Sequence, residues 1–229
     1  MKFPPISRFG RQLLAVACGA GAAFALGGCG NIFVPKQRVL VDAISAPGVT
    51  KPPAGQSYRL VAKKSVVVQT PVQVPVVAAC LNAALVTKGM FEAPANAPSD
   101  IFIEVSFGVD SSPRADPSAR ESFLQLSARS NPDRSLDRSI GEELWDVRVS
   151  VLGLPGRLEP AMPLLCAVAA AHAGTNTHSE QSMQIPRNSP EVASVREAAI
   201  KTLDAKNAAT SAGAAGPAPA AAATMTPVK

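Results

Sequence analysis

The sequence predicts an α+β domain in which about three helices pack on one face of a single, mostly antiparallel sheet. Two segments, 101–107 and 145–151, alternate apolar and polar side chains with the period of a half-buried strand. Two others, 76–88 and 162–171, carry their apolar residues at helical spacing. The elements follow the order strand, strand, helix, three strands, helix, strand, helix. Consecutive strands between a few helices favour an antiparallel sheet.

Six strands are predicted, and they differ in how clearly the pattern marks them. In the clearest, Ile101 and Ile103 face one way with Val105 and Phe107, and Phe102 is the one breach of the alternation. The first strand ends at the turn residues Ala46-Pro47-Gly48. The predicted strands are Arg38–Ile44, Ser57–Ala62, Ile101–Phe107, Ser122–Ala128, Trp145–Val151 and Gln181–Ile185.

The predicted helices are Val76–Lys88, Met162–Ala171 and a third that opens at Ser189-Pro190-Glu191. Gly89 follows the first helix and provides a conventional stop. Ser189 and Pro190 suit the cap and the first position of the third. The inward faces are predicted as Val77, Cys80, Leu81, Ala84 and Leu85 for the first helix, Met162, Leu165, Cys166 and Ala169 for the second, and Val192, Val195, Ala199 and Leu203 for the third.

The first 28 residues have the pattern of a lipoprotein signal peptide. A basic start is followed by an apolar run from Leu13 to Leu26, which is shorter than the ~20 residues that span a bilayer. The run ends in Leu26-Gly27-Gly28-Cys29, an apolar residue and two small ones before a cysteine that can carry diacylglycerol. Cys18 is a second candidate, but cleavage there would leave only about five apolar residues before it. We therefore expect a mature chain that begins at an acylated Cys29.

The signal divides the chain into four predicted parts: a signal peptide at 1–28, a lipidated tether at 29–37, the α+β domain at 38–204 and a disordered tail rich in Ala and Pro at 205–229. Gly30 is not the aspartate that commonly retains lipoproteins at the inner membrane, so the expected location is the periplasmic face of the outer membrane. The whole chain has 22 basic and 17 acidic residues. Losing Lys2, Arg8 and Arg11 leaves a balance near neutral, which gives no reason to expect nucleic acid.

The motifs of several enzyme classes are missing from the sequence. It has two histidines, His172 and His178, and neither belongs to a zinc-protease pattern. It has no phosphate-binding Gly-x-x-x-x-Gly-Lys loop, Gly-x-Ser-x-Gly elbow, Ser-x-x-Lys pair or Cys-x-x-Cys motif. We therefore predict a protein that is not an enzyme, has no catalytic residues and uses neither cofactor nor metal.

Two features allow a functional interpretation beside a plainer one. The segment after the second helix offers Thr175, Asn176, Thr177 and His178 as donors to a ligand or partner. The alternative is a loop in which Gly174 ends the helix and the polar side chains bond to their own backbone.

The dense charges between Asp110 and Glu143 balance to −2, which is typical of a solvated hairpin.

Cys80 and Cys166 both lie on predicted inward helix faces, in a protein expected in an oxidising compartment. If their helices are neighbours, a disulfide could stabilise the domain by at most ~4–5 kcal/mol, because it would close a long loop. The alternative is two buried thiols that behave as small apolar residues. The sequence leaves both interpretations open.

With these segments in place, the chain resembles an uncharacterised family of proteobacterial envelope lipoproteins, known as a domain of unknown function. The resemblance covers about 39–199 and rests on blocks that occur in order: Val39-Leu40-Val41-Asp42-Ala43-Ile44, Ser57-Tyr58-Arg59-Leu60, Leu85-Val86-Thr87-Lys88-Gly89-Met90, Ser99-Asp100-Ile101-Phe102-Ile103, Glu143-Leu144-Trp145-Asp146-Val147, and Leu158 with Pro163-Leu164 and Gly174-Thr175-Asn176-Thr177. It implies an α+β domain on a lipid tether and lends no catalytic residues.

The expected function is that of a structural or protein-interaction module in envelope assembly or integrity, bound to membrane lipid through Cys29 and to envelope proteins as partners. The alternative is a periplasmic module that binds a small molecule, a lipid or a peptide near 174–178.

Overall fold

A computed structural model of the chain describes residues 35–49, 53–62, 74–111, 120–136, 141–152 and 158–214. The chain divides between Lys36 and Gln37, and the described residues belong almost wholly to the second of the two units. The predicted signal peptide, Cys29 and most of the tether lie outside the described residues.

In the described part of the chain, one sheet contains seven strands: β1 Lys36–Ser45, β2 Ser57–Ala62, β3 Phe91–Glu92, β4 Ile101–Ser111, β5 Arg120–Ser130, β6 Glu143–Leu152 and β7 Gln181–Pro186. Their order across the sheet is β3-β2-β4-β5-β6-β1-β7. Strands β4 and β6 are each antiparallel to β5, and β6 is also antiparallel to β1, whereas β2 is parallel to both β3 and β4. The predicted α+β fold with one mostly antiparallel sheet is confirmed.

Three α-helices among the described residues pack together over this sheet: α1 Val74–Val86, α2 Met162–His172 and α3 Pro190–Ala214. A short 3₁₀ turn at Glu159–Ala161 leads into α2. Gly89 and Gly174 follow α1 and α2 with φ of +78° and +71°, the left-handed conformation that glycine adopts without a Cβ clash. The Oγ of Ser189 accepts a hydrogen bond from the Val192 N–H at 3.4 Å, as expected of a helix cap.

The predicted inward faces form the core. The side chains predicted to face inward on β4, β6, α1 and α2 are all buried, and on α3 Val192, Val195 and Ala199 are buried while Leu203 is partly so. Helix α2 is central, because it contacts α1, α3 and the strands β5 and β6. Phe102, which breaks the alternation of β4, is only 2% exposed. It projects from the opposite side of the strand to Ile101 and Ile103.

Element boundaries differ from the predicted ones in two informative places. Strand β3 was not predicted, because two exposed residues carry no period. Helix α3 continues through Ala214, ten residues beyond the predicted domain boundary. Alanine has the highest helix propensity, so an Ala-rich segment can extend a helix that the core has already nucleated. The rest of the predicted disordered tail, 215–229, lies outside the described residues.

The strand registers define two ends of the sheet. β1 begins at Lys36, and at this end Leu152 of β6 pairs with Glu121 of β5; we call it the Lys36 end. β1 finishes at Ser45, which pairs with Trp145, and Trp145 in turn pairs with Ala128; we call this the Ser45 end. Ten residues of strand separate the two ends by about 30 Å.

Candidate functional site

Asp100 links loops at the Ser45 end through hydrogen bonds and an ion pair. Its Oδ2 accepts hydrogen bonds from the backbone N–H and the Oγ of Ser57, at 2.9 and 2.7 Å. Its own N–H donates to the Ser57 Oγ at 2.9 Å, and Arg134 Nη1 lies 3.1 Å from its Oδ1. The bonds from Ser57, followed by the charge of Arg134, hold the pKa of the Asp100 carboxyl below its ordinary value. The carboxylate therefore joins the start of β2 to the residue before β4.

Arg59 on β2 connects two further loops. Its guanidinium donates to the carbonyl oxygens of Pro94 at 3.0 Å and Ala97 at 2.7 Å, and also to that of Leu136. The loop of Leu136 is shaped in turn by Asn131, whose side chain donates to the Ser135 carbonyl and accepts from the Ser135 N–H. One cation thus holds the loop after β3 against the loop after β5.

An open cleft of about 530 Å³ lies beside Arg59, lined also by Glu92, Ala93, Pro94 and Ala95. Its walls combine one guanidinium and one carboxylate with small apolar side chains. An extended peptide or a small polar group suits such a lining, because the apolar wall gives contact area and the charges fix orientation.

A hydrogen-bond chain that begins at buried Tyr58 positions the acidic wall of the cleft. The Tyr58 hydroxyl donates to Asn82 Oδ1 at 2.9 Å, and Asn82 Nδ2 donates to Glu92 Oε2 at 2.5 Å. Burial, and secondarily the charge of Glu92, raises the pKa of Tyr58 well above its ordinary value, so this phenol stays protonated as a donor. Glu92 itself is exposed and presents its carboxylate at the edge of the sheet.

The predicted ligand loop is engaged mainly with backbone. Thr175 donates from its Oγ1 to the His172 carbonyl at 2.8 Å, and Asn176 Oδ1 accepts from the His178 N–H at 2.8 Å. Thr177 is buried against β1, where its Oγ1 accepts from the Ala43 N–H at 3.0 Å. The bonds of Thr175 and Asn176 are the ones that the backbone-bonding alternative expects, whereas Thr177 bonds to a neighbouring strand instead. The ligand interpretation stays a prediction, and Asn176 and His178 are the exposed side chains of this loop.

The two predicted cysteines meet in the interior. Cys80 of α1 and Cys166 of α2 share a side-chain hydrogen bond, and both are present as free thiols. Burial raises the pKa of the Cys166 thiol well above its ordinary value. The structure thus brings together two residues that the sequence could place only on separate helix faces.

In the described part of the chain, no group of three or more His, Cys, Asp or Glu side chains could hold a metal ion. Over the same residues, no helix combines the length and hydropathy needed to cross a bilayer.

The cleft was not predicted from the sequence. Glu92 belongs to the two-residue strand β3, which the sequence pattern does not mark. The sequence alone does not distinguish Arg59 from the other arginines, because its carbonyl partners are known only from the structure. The sequence blocks that contain Arg59 and Asp100 are among those on which the family resemblance rests. That resemblance was the one feature of the sequence that marked these two positions.

Comparison with known proteins supports no conclusion about this chain. No family model and no curated protein matches the chain. The PelC dodecamer from Paraburkholderia phytofirmans is similar in two crystal structures, each with a TM-score of 0.37 and 12% identity, covering 59% of this chain and 98% of that one. A PDZ domain protein from Parabacteroides distasonis has a TM-score of 0.44 and 13% identity, covering 72% of this chain and 42% of that one. Similarities of this size support no functional argument.

Proposed function

We propose that this protein is a lipid-anchored module on the periplasmic face of the outer membrane, where it binds another envelope protein with the Ser45 end of its sheet. The proposal needs no catalysis, and it assigns Cys29 as the lipidated residue. The signal pattern before Cys29 and the resemblance to envelope lipoproteins support this location.

One observation carries the proposal: β1 begins at Lys36, only seven residues after Cys29. Seven residues reach at most about 25 Å, so an acylated Cys29 would keep the Lys36 end close to the lipid surface. The Ser45 end then lies about 30 Å farther along β1. A sheet held at one end in this way leaves its other end free to reach proteins beyond the membrane surface.

The features collected at the Ser45 end suit an interaction surface. The Asp100 and Arg59 clusters hold its loops in fixed positions, which lowers the ordering cost of binding. Phe91 and Leu136 are 50% and 43% exposed, and both belong to the segments that frame the cleft. Exposed apolar side chains beside fixed polar groups are typical of protein interfaces.

Site-specific crosslinking tests the proposal. A photo-reactive amino acid at exposed Ala95, beside the cleft, should crosslink a discrete envelope protein in cells. The matched position is Arg120, an exposed residue that pairs with Ser111 at the Lys36 end. We expect no such adduct from Arg120. Identical adducts from both positions, or none from Ala95 in correctly lipidated protein, would contradict the proposal.

The cleft also favours a second function, the binding of a small molecule, lipid or peptide in the periplasm. A volume of about 530 Å³ is within the range of small-molecule sites. Native mass spectrometry of the full chain extracted from membranes should then reveal a bound mass that Glu92→Ala loses. Wild-type protein that carries no added mass would exclude a stably retained ligand.

A further inference from the structure

Cys80 and Cys166 are separated by 85 intervening residues in sequence, but their helices α1 and α2 pack against each other and both side chains belong to the same buried core. Their exposed fractions are 3% and 0%, and the neighbouring core side chains are apolar. Each thiol has the other as a hydrogen-bond partner. A disulfide would bring the two sulfurs to ~2 Å from each other.

We propose that Cys80 and Cys166 form an intrachain disulfide in the exported protein, which ties α1 to α2. The inference rests on the proposed function in one respect, because an oxidising compartment is needed for the bond to persist. It adds a modification site that the anchoring proposal does not require. The chain has four cysteines. Once Cys18 leaves with the signal and Cys29 is acylated, these two have no competing partner.

The bond forms by exchange with a disulfide oxidant, either a protein dithiol oxidase or a small disulfide such as oxidised glutathione. The thiolate of one cysteine attacks the oxidant disulfide, which forms a mixed disulfide and releases one oxidant thiol. The second cysteine, as thiolate, then attacks its partner's sulfur and releases the other oxidant thiol. The two cysteines lose two protons and two electrons, and the oxidant disulfide is reduced to two thiols.

Burial determines when the exchange takes place. Neither sulfur is open to a bulky oxidant once the helices have packed. The bond therefore forms as α1 and α2 assemble, or during their transient opening.

Peptide mapping tests the pairing directly. Full-chain protein is expressed with its signal, the cells are lysed directly into denaturant that contains an alkylating agent so that buried free thiols are labelled, and the membrane protein is digested with trypsin without reductant. We expect the peptides Ser65–Lys88 and Leu158–Arg187 to appear linked and to separate on reduction. Lipidated protein in which both cysteines are alkylated would overturn the disulfide while leaving the anchor intact.

A second measurement separates the disulfide from the anchoring proposal. If the chain proves not to be lipidated, purified full-length protein is refolded in a mixture of oxidised and reduced glutathione and mapped in the same way. Linked peptides would support the disulfide independently of the cellular location. Alkylation of both cysteines would overturn the disulfide.

Stability supplies a readout that does not depend on mapping. The bond closes a loop of 85 residues, so reductant should lower the melting temperature of the wild type by about 10 °C. The double variant Cys80→Ala/Cys166→Ala should show no response to reductant. A wild type that melts at the same temperature with and without reductant would contradict the proposal.

Discussion

The interior beneath the helices and the Ser45 end of the sheet are stabilised by different physical means. In the interior, apolar side chains such as Leu165, Val147 and Val149 are completely buried, and packing volume determines stability. At the Ser45 end, Asp100, Arg59 and Thr177 fix loops through hydrogen bonds to backbone groups. The interior should therefore be sensitive to changes of volume, and the Ser45 end to changes of charge and pH.

Leu165→Ala should have the largest effect. Leu165 is 0% exposed on the central helix, so its truncation loses buried apolar area and leaves a cavity, at a cost of about 3 kcal/mol in the free energy of unfolding. Urea denaturation of the full chain measures this loss. The matched control is Ile200→Ala on α3, where the side chain is 52% exposed and a change within about 0.5 kcal/mol is expected. Equal losses in the two variants would mean that α2 does not fill the core.

Gly141→Ala tests the tight approach of two chain segments at the Ser45 end. A Cβ on Gly141 would lie 2.1 Å from the Ser130 carbonyl oxygen, so the backbone must shift. The shift would weaken the bond from the Ser130 N–H to the Glu142 carbonyl, for a total cost of about 2 kcal/mol. Exposed Glu142→Ala is the neighbouring control and should cost little. A Gly141→Ala protein as stable as Glu142→Ala would refute the close contact.

Asp100→Asn should cost about 1 kcal/mol at neutral pH, since the carboxylate is 37% exposed and solvent screens part of its interactions. The pKa of Asp100 is lowered in the folded protein, so its contribution is present above the unfolded value of about 3.9 and is lost as pH falls through the folded pKa. Wild type should thus lose more stability between pH 6 and pH 2.5 than Asp100→Asn. Exposed Asp204→Asn should keep the wild-type slope. Parallel curves for all three proteins would contradict the role of Asp100.

His172 should give the smallest effect. Burial, and secondarily the charge of Lys88, lowers the pKa of this imidazole in the folded protein. The unfolded chain therefore binds more protons as pH falls below about 6.5, and stability should decrease slightly between pH 7.5 and pH 5. His172→Gln should remove part of that decrease, whereas His178→Gln in the exposed loop should leave it unchanged. If His178→Gln changed the decrease in stability more than His172→Gln, the decrease would be assigned to His178 and not to His172.

The same comparison explains how much the sequence could predict. The interior follows from local periods: Val77, Leu81 and Leu85 are one or two helical turns apart, and Val147 and Val149 are two residues apart on one strand. The Ser45 end depends on partners that are far apart in sequence. Ser57 and Asp100 are 43 residues apart, and Ala43 and Thr177 are 134 apart. No local pattern encodes such pairs, so the cleft beside Arg59 was not predicted.

Labelling with palmitate tests the central claim, that Cys29 anchors this domain to a membrane. Cells that express the wild type or Cys18→Ala should yield a labelled, processed protein in the membrane fraction. The Cys29→Ala variant should be unlabelled and should keep its full length. A labelled Cys29→Ala protein, or a wild type found unprocessed and soluble in the cytosol, would contradict the account.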